Sequence, residues 1–456
     1  MANSAQHRSW THKVGSRPAI AALTMAVLIA FTLIAIPSAQ AQTFTIIHNF
    51  SGQGEDGANP YGGLVMDRAG NLYGTTEYGG SGPCSTQHTR GCGTVYKMKP
   101  FSSGWSYTPL YSFAGWTNND GAYPAYSDLI IGSDGSLYGT TTRGGEPESC
   151  DGNPGCGTVF NLKPSPTRPR TALSPWSETV LYRFLTQGDG AIPEGNLAFD
   201  SAGNLYGTTV EGGTDNWGVA FELSPSGGQW TYNLIHNFVG NQCDLSTTTT
   251  PTCEDGIYPY GGVYIDSVGN VDGTAWAGGS DNYGMVFQLA QSGSGWTQNN
   301  LHNFGSVNDG TKPTTTLIAD SLGNLYGTTT SGLGMGDAVV FELSPSNGGW
   351  TYSILYTFNG DNTDGPGAPL TMDAAGNLYG TTQGEAGPYG TVFELSPSNG
   401  RWVYTLLHQF THGSDGGNPY SNVVMDAQGN LYGTASSGGS SPYCAGGCGV
   451  VWKITP

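Results

Sequence analysis

The chain has 456 residues and is acidic, with 34 Asp and Glu against 15 Lys and Arg and a formal net charge of −19. Such a charge disfavours nucleic acid and anionic membrane surfaces as partners. The length exceeds that of one ordinary hydrophobic core, so we expect a core that is distributed over several small units.

The first 41 residues have the features of a signal peptide. Three basic residues precede an apolar run over residues 20–36, and Ala39-Gln40-Ala41 is a small-x-small cleavage motif. We therefore expect residues 1–41 to be removed and residues 42–456 to form a secreted or periplasmic domain without a membrane span. An uncleaved anchor is the alternative, because the apolar run reaches the lower length limit for a span.

Seven related copies of a Gly-Asn-Leu-Tyr-Gly-Thr-Thr phrase occur at intervals of 53 to 68 residues. A period of this size, rich in Gly, Thr and aromatic residues, indicates a propeller or a solenoid. The copies begin at Gly70, Gly135, Gly203, Gly269, Gly323, Gly376 and Gly429.

Each repeat contains four extended phrases bounded by Gly, Asn, Ser and Pro, and the mature chain has no helical periodicity. In the fourth phrase, large apolar side chains alternate from Trp402 to Phe410, which is typical of a strand with one packed face. Four short strands in each of seven repeats predict an all-β, seven-bladed propeller of four-stranded antiparallel blades.

The two ends of the repeat region are complementary. Residues Thr43 to Phe50 match a fourth strand, whereas the segment from Gly449 to Pro456 matches a third strand. We expect them to complete one blade together, because this pairing would remove two free sheet edges.

Eight cysteines fall into four close pairs, which indicates disulfides in a protein that carries a signal peptide. A zinc site is the alternative. The predicted pairs are Cys84 with Cys92, Cys150 with Cys156, Cys243 with Cys253, and Cys444 with Cys448. All of them lie in the long connections between second and third strands or between fourth and first strands. These connections define a loop-rich face, where we expect ligands to bind.

An Asp-Gly step occurs in every repeat. One interpretation is a turn in which Asp accepts hydrogen bonds from nearby amides and Gly supplies a positive φ. The other is a ring of carboxylates that collects Ca²⁺ at the central channel. These residues are Asp56, Asp120, Asp189, Asp255, Asp309, Asp364 and Asp415.

The fourth repeat departs from the others, since Asp272 replaces the repeated Tyr and Trp276 replaces a Thr. The change indicates either a binding site or drift within a degenerate repeat. Aromatic residues on the loop-rich side suit both sugar rings and loop packing; they include Tyr126, Tyr258 and Tyr389. Our candidate ligand-binding residues are Trp116, Tyr123, Trp217, Asp272, Trp276 and Tyr283.

The cycle of Asp-x-x-Gly-Asn-Leu-Tyr-Gly-Thr-Thr, Gly-Thr-Val-Phe-Glu-Leu-Ser-Pro, Trp-x-Tyr and Leu-His-x-Phe resembles the GloVer tandem-repeat family of bacterial extracellular proteins. More distantly, it is similar to the repeats of NHL-type and lactonase-like propellers. The first resemblance implies an extracellular repeat protein but supplies no activity for any residue. The second implies a fold in which some members hold a channel metal, and fold kinship alone does not establish function.

We find no nucleophile elbow, phosphate loop or dinucleotide motif in the sequence. We therefore expect a monomeric binding module that recognises a glycan or a cell-envelope protein, rather than an enzyme. One alternative is a hydrolase or lyase that acts on a polysaccharide or lactone with a channel metal such as Ca²⁺. Another is a purely structural extracellular protein.

Overall fold

The computed structural model describes residues 42–84, 91–146, 149–150, 153–165, 176–185, 188–240, 253–293, 295–305, 309–330, 338–358, 365–384 and 389–456. Residues Thr43–Thr455 form one compact unit. Seven four-stranded antiparallel sheets follow one another along it, and strand order follows chain order within each sheet except the one that joins the two chain ends. The predicted seven-bladed, all-β propeller is therefore confirmed. No helix in the described part of the chain is long and apolar enough to cross a membrane.

Within each blade the strands are numbered first to fourth in their order across the sheet. Blade 1 contains Val65–Met66, Leu72–Thr76, Thr94–Phe101 and Gly104–Ser112. Blade 2 contains Ile130–Ile131, Leu137–Thr141, Thr158–Pro164 and Trp176–Arg183. Blade 3 contains Ala198–Phe199, Leu205–Thr209, Val219–Ser226 and Gln229–Asn237. Blade 4 contains Tyr264–Ile265, Val271–Ala275, Met285–Ser292 and Gly295–Asn303.

Blade 5 contains Ile318–Ala319, Leu325–Thr328, Ala338–Ser346 and Gly349–Phe358. Blade 6 contains Thr371–Met372, Leu378–Thr382, Thr391–Ser398 and Arg401–Gln409. Blade 7 contains Val424–Met425, Leu431–Ala435, Val450–Thr455 and Thr43–Asn49. The described parts of the loops hold a 3₁₀ turn, Trp116–Asn118, and three short strand pairs. These pairs are Gly57–Ala58 with Tyr78–Gly79, Gly121–Ala122 with Arg143–Gly144, and Ser149–Cys150 with Asn153–Pro154.

The ring closes between the first and last strands of the chain. Thr43 pairs with Thr455 and Phe44 with Ile454 in an antiparallel ladder. The expectation that the two partial repeats complete one blade is confirmed.

The short first strands form the inner edge of the ring. Residues that precede them are hydrogen-bonded across blade boundaries: the Gly63 N–H donates to Asp128 (2.6 Å), and the Asp128 N–H donates to Asn196 (2.7 Å). The Leu64 N–H donates in the same way to Asn422 of blade 7 (3.1 Å). Hydrogen bonds of the residues just before the first strands therefore hold neighbouring blades together around the axis.

Aromatic pairs fill the space between adjacent blades. A Phe that follows each fourth strand, or ends it, packs at an angle against the third-strand aromatic residue of the next blade, as Phe113 does on Phe160 with centroids 5.1 Å apart. Such pairs contribute about 0.5–1.5 kcal/mol each beyond their burial. The other pairs are Phe50–Tyr96, Phe184–Phe221, Phe238–Phe287, Phe304–Phe341, Phe358–Phe393 and Phe410–Trp452.

The fourth strands do not keep one packed face. In blade 6 the register shifts between Val392 and Phe393, and Leu406 is 48% exposed. Tyr404 stacks on Tyr356 of blade 5, whereas His408 stacks on Phe44 of blade 7. The expectation of a single alternating face is wrong, because a bulge in mid-strand turns the two halves towards different neighbours.

The repeated Asn and Tyr serve the tight turn between the first and second strands. In blade 1, Asp67 accepts hydrogen bonds from the Ala69 and Asn71 N–H groups, the Asn71 amide and the Tyr73 hydroxyl. The same network recurs at Asp200, Asp320, Asp373 and Asp426. The sequence repeat is thus a repeated turn, which lies on the face opposite the loops.

Candidate ligand-binding site

Six blades build the loop-rich face with the same backbone conformation. Tyr123 of blade 2 has φ 58°; its N–H donates to the Cys92 carbonyl of blade 1 (2.8 Å), and its carbonyl accepts the Thr142 N–H (3.1 Å). This arrangement joins adjacent blades and fixes each Asp-Gly loop against the end of a second strand. The residues with positive φ at this position are Asn59, Tyr123, Ile192, Tyr258, Lys312 and Asn418.

A cavity of about 460 Å³ lies among the loops of blades 1, 2 and 3. Its charged side chains are Glu77, Glu194 and Arg143. Four aromatic residues line it as well, and these are Tyr78, Trp116, Tyr123 and Tyr126. Its volume falls in the range of small-molecule sites, and the mixture of rings with a few polar groups is typical of them.

Both carboxyl groups of the cavity have raised pKa values. Burial raises the pKa of Glu77 to about 7, although a hydrogen bond with Tyr78 opposes the shift. Burial also raises the pKa of Glu194 to about 7; Arg143 opposes this, and the charges of Glu211 and Glu77 add to it. Both groups therefore change protonation near neutral pH, which is common at functional sites.

The Arg143 guanidinium has a donor atom that is free to bind a ligand. Its Nη1 atom is buried and has no hydrogen-bond partner among the described residues. A buried donor without a partner is costly, so a ligand oxygen at this place would be stabilised.

Tyr126 lies where three blades meet at the axis. Its ring centroid is 5.0 Å from that of Tyr61 in blade 1 and 6.2 Å from that of Tyr420 in blade 7. The side chain is nevertheless 47% exposed, so one part of the ring is accessible to a ligand.

Tyr126 lies in a segment of blade 2 that is one residue longer than its counterparts in most blades. Leu129 follows Asp120 by nine residues, whereas the corresponding interval is eight in blades 1, 3, 4, 5 and 7. At the position of Tyr126, blade 3 has Glu194 and blades 1, 4 and 7 have Tyr. The mouth of the channel thus combines one carboxyl with several tyrosines, and this asymmetry is not required by the repeat.

A second aromatic cluster lies on the loops of blades 3 and 4. Trp217 packs against Tyr258 with centroids 5.0 Å apart, and Tyr258 and Tyr260 both contact Trp276. The Lys312 ammonium lies 4.5 Å from the Trp276 ring centroid. These rings cover one another, so this cluster packs the loops of blades 3 and 4 together.

The structure separates the six predicted ligand-binding residues into three groups. Trp116 and Tyr123 line the cavity, whereas Trp217 and Trp276 belong to the second aromatic cluster. The other two residues lie apart from both: Tyr283 packs against the core between blades 4 and 5, and Asp272 is 1% exposed near the tight-turn face.

Asp272 forms a local contact instead of lining the cavity. It accepts a hydrogen bond from the Gln288 amide (2.9 Å), and burial raises its pKa to about 7. The Tyr hydroxyl that donates to the turn carboxylate in blades 1, 3, 5, 6 and 7 is absent from this blade.

The Asp-Gly carboxylates contact the loops that follow the fourth strands. Asp56 accepts the Ser51 N–H and lies 3.1 Å from His48 Nε2. Asp120 likewise accepts the Ala114 N–H and the Tyr111 hydroxyl. Equivalent contacts occur at Asp189, Asp255, Asp309 and Asp415, whereas Asp364 lies outside the described residues.

These contacts support the turn interpretation for the six described carboxylates. Within the described ranges, no three His, Cys, Asp or Glu side chains are grouped so that they could hold a metal ion. The Ca²⁺ site stays a prediction without a geometric counterpart in this part of the chain.

Three of the predicted disulfides are confirmed: Cys84–Cys92, Cys150–Cys156 and Cys444–Cys448. Cys243, the predicted partner of Cys253, lies outside the described residues. The Cys156 carbonyl accepts the Ile192 N–H of the next blade (2.9 Å), as the Cys92 and Cys448 carbonyls do for their neighbours. These bridges therefore fix the loops that receive the next blade, and they are consistent with an oxidising extracellular or periplasmic compartment.

Glu77, Glu194 and Arg143 were not among the predicted site residues. Glu194 could have been noticed because it replaces a Tyr found at the same position in four other blades. Glu77 and Arg143 lie in variable connections, where the sequence alone carries no signal of convergence.

One repeat family matches the chain. It is the Gloeobacter/Verrucomicrobia repeat, and the matches cover residues 32–251 and 241–446. Among curated protein sequences, none matches significantly.

Several solved structures are similar in fold. One is a proposed oxidoreductase (glucose dehydrogenase) from Thermus thermophilus, with 15% identity, a TM-score of 0.42, and coverage of 91% of this chain and 100% of that one. Another is the PQQ-bound aldose sugar dehydrogenase from Streptomyces coelicolor, with 11% identity, a TM-score of 0.44, and coverage of 91% and 98%. A proposed gluconolactonase has 11% identity, a TM-score of 0.38, and coverage of 91% and 92%. These likenesses concern the fold alone.

Proposed function

The chain belongs to the Gloeobacter/Verrucomicrobia repeat family, and we propose that it is a secreted or periplasmic binding module that recognises a glycan in the cavity of blades 1 to 3. The observation that carries this proposal is the convergence of four aromatic rings, two carboxyls and one guanidinium on a single cavity.

The chemistry of the cavity suits a sugar. Aromatic faces pack against the apolar faces of sugar rings, and a small number of fixed polar groups hydrogen-bond with hydroxyls. Glu77 and Glu194 supply acceptors and, when protonated, donors, while the buried Nη1 atom of Arg143 supplies a further donor.

The size of the cavity favours a glycan over an envelope protein. A stable protein interface buries on the order of 800 Å² on each partner, which requires a broad surface. A cavity of about 460 Å³ instead encloses a ligand of a few sugar rings at most.

Comparison of the repeats also supports a site at this place. Features that all blades share are explained by the blade itself. Blade 2 departs from the repeat by a one-residue insertion beside Tyr126, and blade 3 departs by the substitution at Glu194; Tyr126 and Glu194 line the same cavity. Two independent departures at one place support selection for binding.

A panel of immobilised polysaccharides and oligosaccharides tests the proposal. The wild-type domain is compared with Trp116→Ala, which removes a cavity wall, and with Tyr443→Ala, which removes a 63% exposed ring outside the cavity. We expect glycan capture that is lost in the first variant and retained in the second. Capture of no glycan, or equal capture by all three proteins, would contradict the proposal.

Glycan hydrolysis is the second candidate function. It is favoured by the two carboxyls that share the cavity with pKa values near 7, since glycoside hydrolysis commonly uses a carboxyl pair. Release of reducing ends from a captured glycan would support it, provided that Glu77→Gln and Glu194→Gln abolish the release.

A further inference from the structure

The carboxyl groups of the cavity lack a balancing charge. Neither Glu77 nor Glu194 takes part in the four His–Asp ion pairs found between described residues. Arg143 influences Glu194 electrostatically but forms no ion pair with it. With both carboxyls ionised, the cavity carries two negative charges against one positive charge.

The surroundings of these carboxyls would also attract a cation. The faces of Trp and Tyr rings are negative, and they stabilise an ammonium group placed over them. Tyr78, Trp116, Tyr123 and Tyr126 share the cavity with both carboxyls. The strong negative charge of the whole chain acts in the same direction.

We propose that the glycan bound here carries a protonated amino group, which lies between Glu77 and Glu194 against the aromatic wall. This inference rests on the proposed function, because it names the class of sugar that the same cavity takes. A neutral sugar would need hydroxyl partners but no surplus of carboxylates. An amino sugar supplies the missing positive charge and still offers a hydroxyl or ring oxygen to Arg143.

The other titratable groups near the two carboxyls do not remove the preference of the cavity for a protonated amino group. The Tyr hydroxyls around them stay neutral at physiological pH, since burial raises the pKa of each of these tyrosines. Glu211 adds a further negative charge near Glu194, and Arg143 is the nearby cation. The titratable and charged groups that surround the two carboxyls are Tyr61, Tyr78, Tyr123, Tyr126, Tyr260, Glu211 and Arg143.

Three trisaccharides with the same β-1,4-linked backbone test the inference. They carry an amino group, an N-acetyl group or a hydroxyl at carbon 2, and each is titrated calorimetrically into the purified domain. We expect the amino form to bind at least about tenfold more tightly than the other two, which is the scale of one charged hydrogen bond with a cation–π contact.

The variants assign the preference to the two carboxyls. In Glu77→Gln/Glu194→Gln the preference should fall to within about twofold, whereas Glu394→Gln in blade 6, outside the cavity, should retain it. Thermal melts verify folding, and the single variants replace the double variant if it does not fold. The wild-type comparison does not depend on any variant.

The possible results separate this inference from the proposed function. Equal binding of all three trisaccharides, or a preference that survives in the double variant, overturns the inference and leaves glycan binding intact. Binding of none of the three also overturns it. If the wider glycan panel then shows no capture, the proposed function fails as well.

Discussion

The Phe44 ring stacks on the His408 imidazole, with centroids 3.6 Å apart and planes 7° apart. Phe44 belongs to the strand that completes blade 7, and His408 lies in the fourth strand of blade 6. This contact joins the N-terminal strand to the neighbouring blade in addition to its ladder with Val450–Thr455. Ring closure therefore depends on packing as well as on backbone hydrogen bonds.

Replacing Phe44 tests this closure. Phe44→Ala should lower the free energy of unfolding by about 1–3 kcal/mol, because a half-buried ring loses its stacking partner and leaves a gap. Urea unfolding followed by fluorescence gives the value. Phe101→Ala, at a 54% exposed ring, is the matched control and should change little. Equal stability of both variants would show that the ring does not depend on this contact.

Asp272 should make the stability depend on pH. Burial raises its pKa from 3.8 to about 7 in the folded state, so the folded protein holds this proton more tightly than the unfolded chain does. The stabilisation is complete below pH about 4 and is lost as the pH rises towards 7. Asp272→Asn keeps an acceptor for Gln288 and should remove this loss, which is on the order of 2–4 kcal/mol.

Chemical unfolding of both proteins between pH 4 and pH 8 measures the effect. Asp281→Asn, at an exposed Asp of the same blade, serves as the control. Asp272→Asn should gain stability relative to the wild type as the pH rises. Parallel curves for all three proteins would refute a buried, protonated Asp272.

The disulfides should differ in their importance for binding. Pro154 lies between Cys150 and Cys156 and lines the cavity, whereas the loop between Cys444 and Cys448 does not. Replacing either pair by Ser should cost about 2–3 kcal/mol of stability. Only the Cys150/Cys156 variant should also weaken glycan binding, measured by calorimetry below the melting temperature of both variants. Equal glycan affinities of the two variants would show that the loop between Cys150 and Cys156 does not contribute to the site.

Much of the fold could be predicted because each repeat carries its own turn chemistry. Asp67, Asn71 and Tyr73 form one hydrogen-bonded turn, so their recurrence marks the boundary between the first and second strands. The complementary end segments likewise predicted ring closure. The mid-strand bulges were missed, because a run such as Leu406-Leu407 does not show which of its residues is the extra one.

The candidate site could be predicted only in part. Trp116 and Tyr123 were expected on the correct face, but Glu77 and Glu194 converge only through the packing of blade 1 near blade 3. They are more than 100 residues apart in the sequence. The substitution at Asp272 did not mark the ligand site, because Asp272 is buried at the tight-turn end of its strand, away from the loops.

Deletion of Tyr126 tests the central claim, that the cavity of blades 1 to 3 is the glycan site. The deletion restores the eight-residue interval between Asp120 and Leu129 found in most blades, so the fold should be retained. It also removes the ring that contacts Tyr61 and Tyr420 at the axis. Calorimetric titration with the trisaccharide that the wild type binds best should show at least about a tenfold loss of affinity in a variant that still unfolds cooperatively. A folded deletion variant with wild-type affinity would contradict the account.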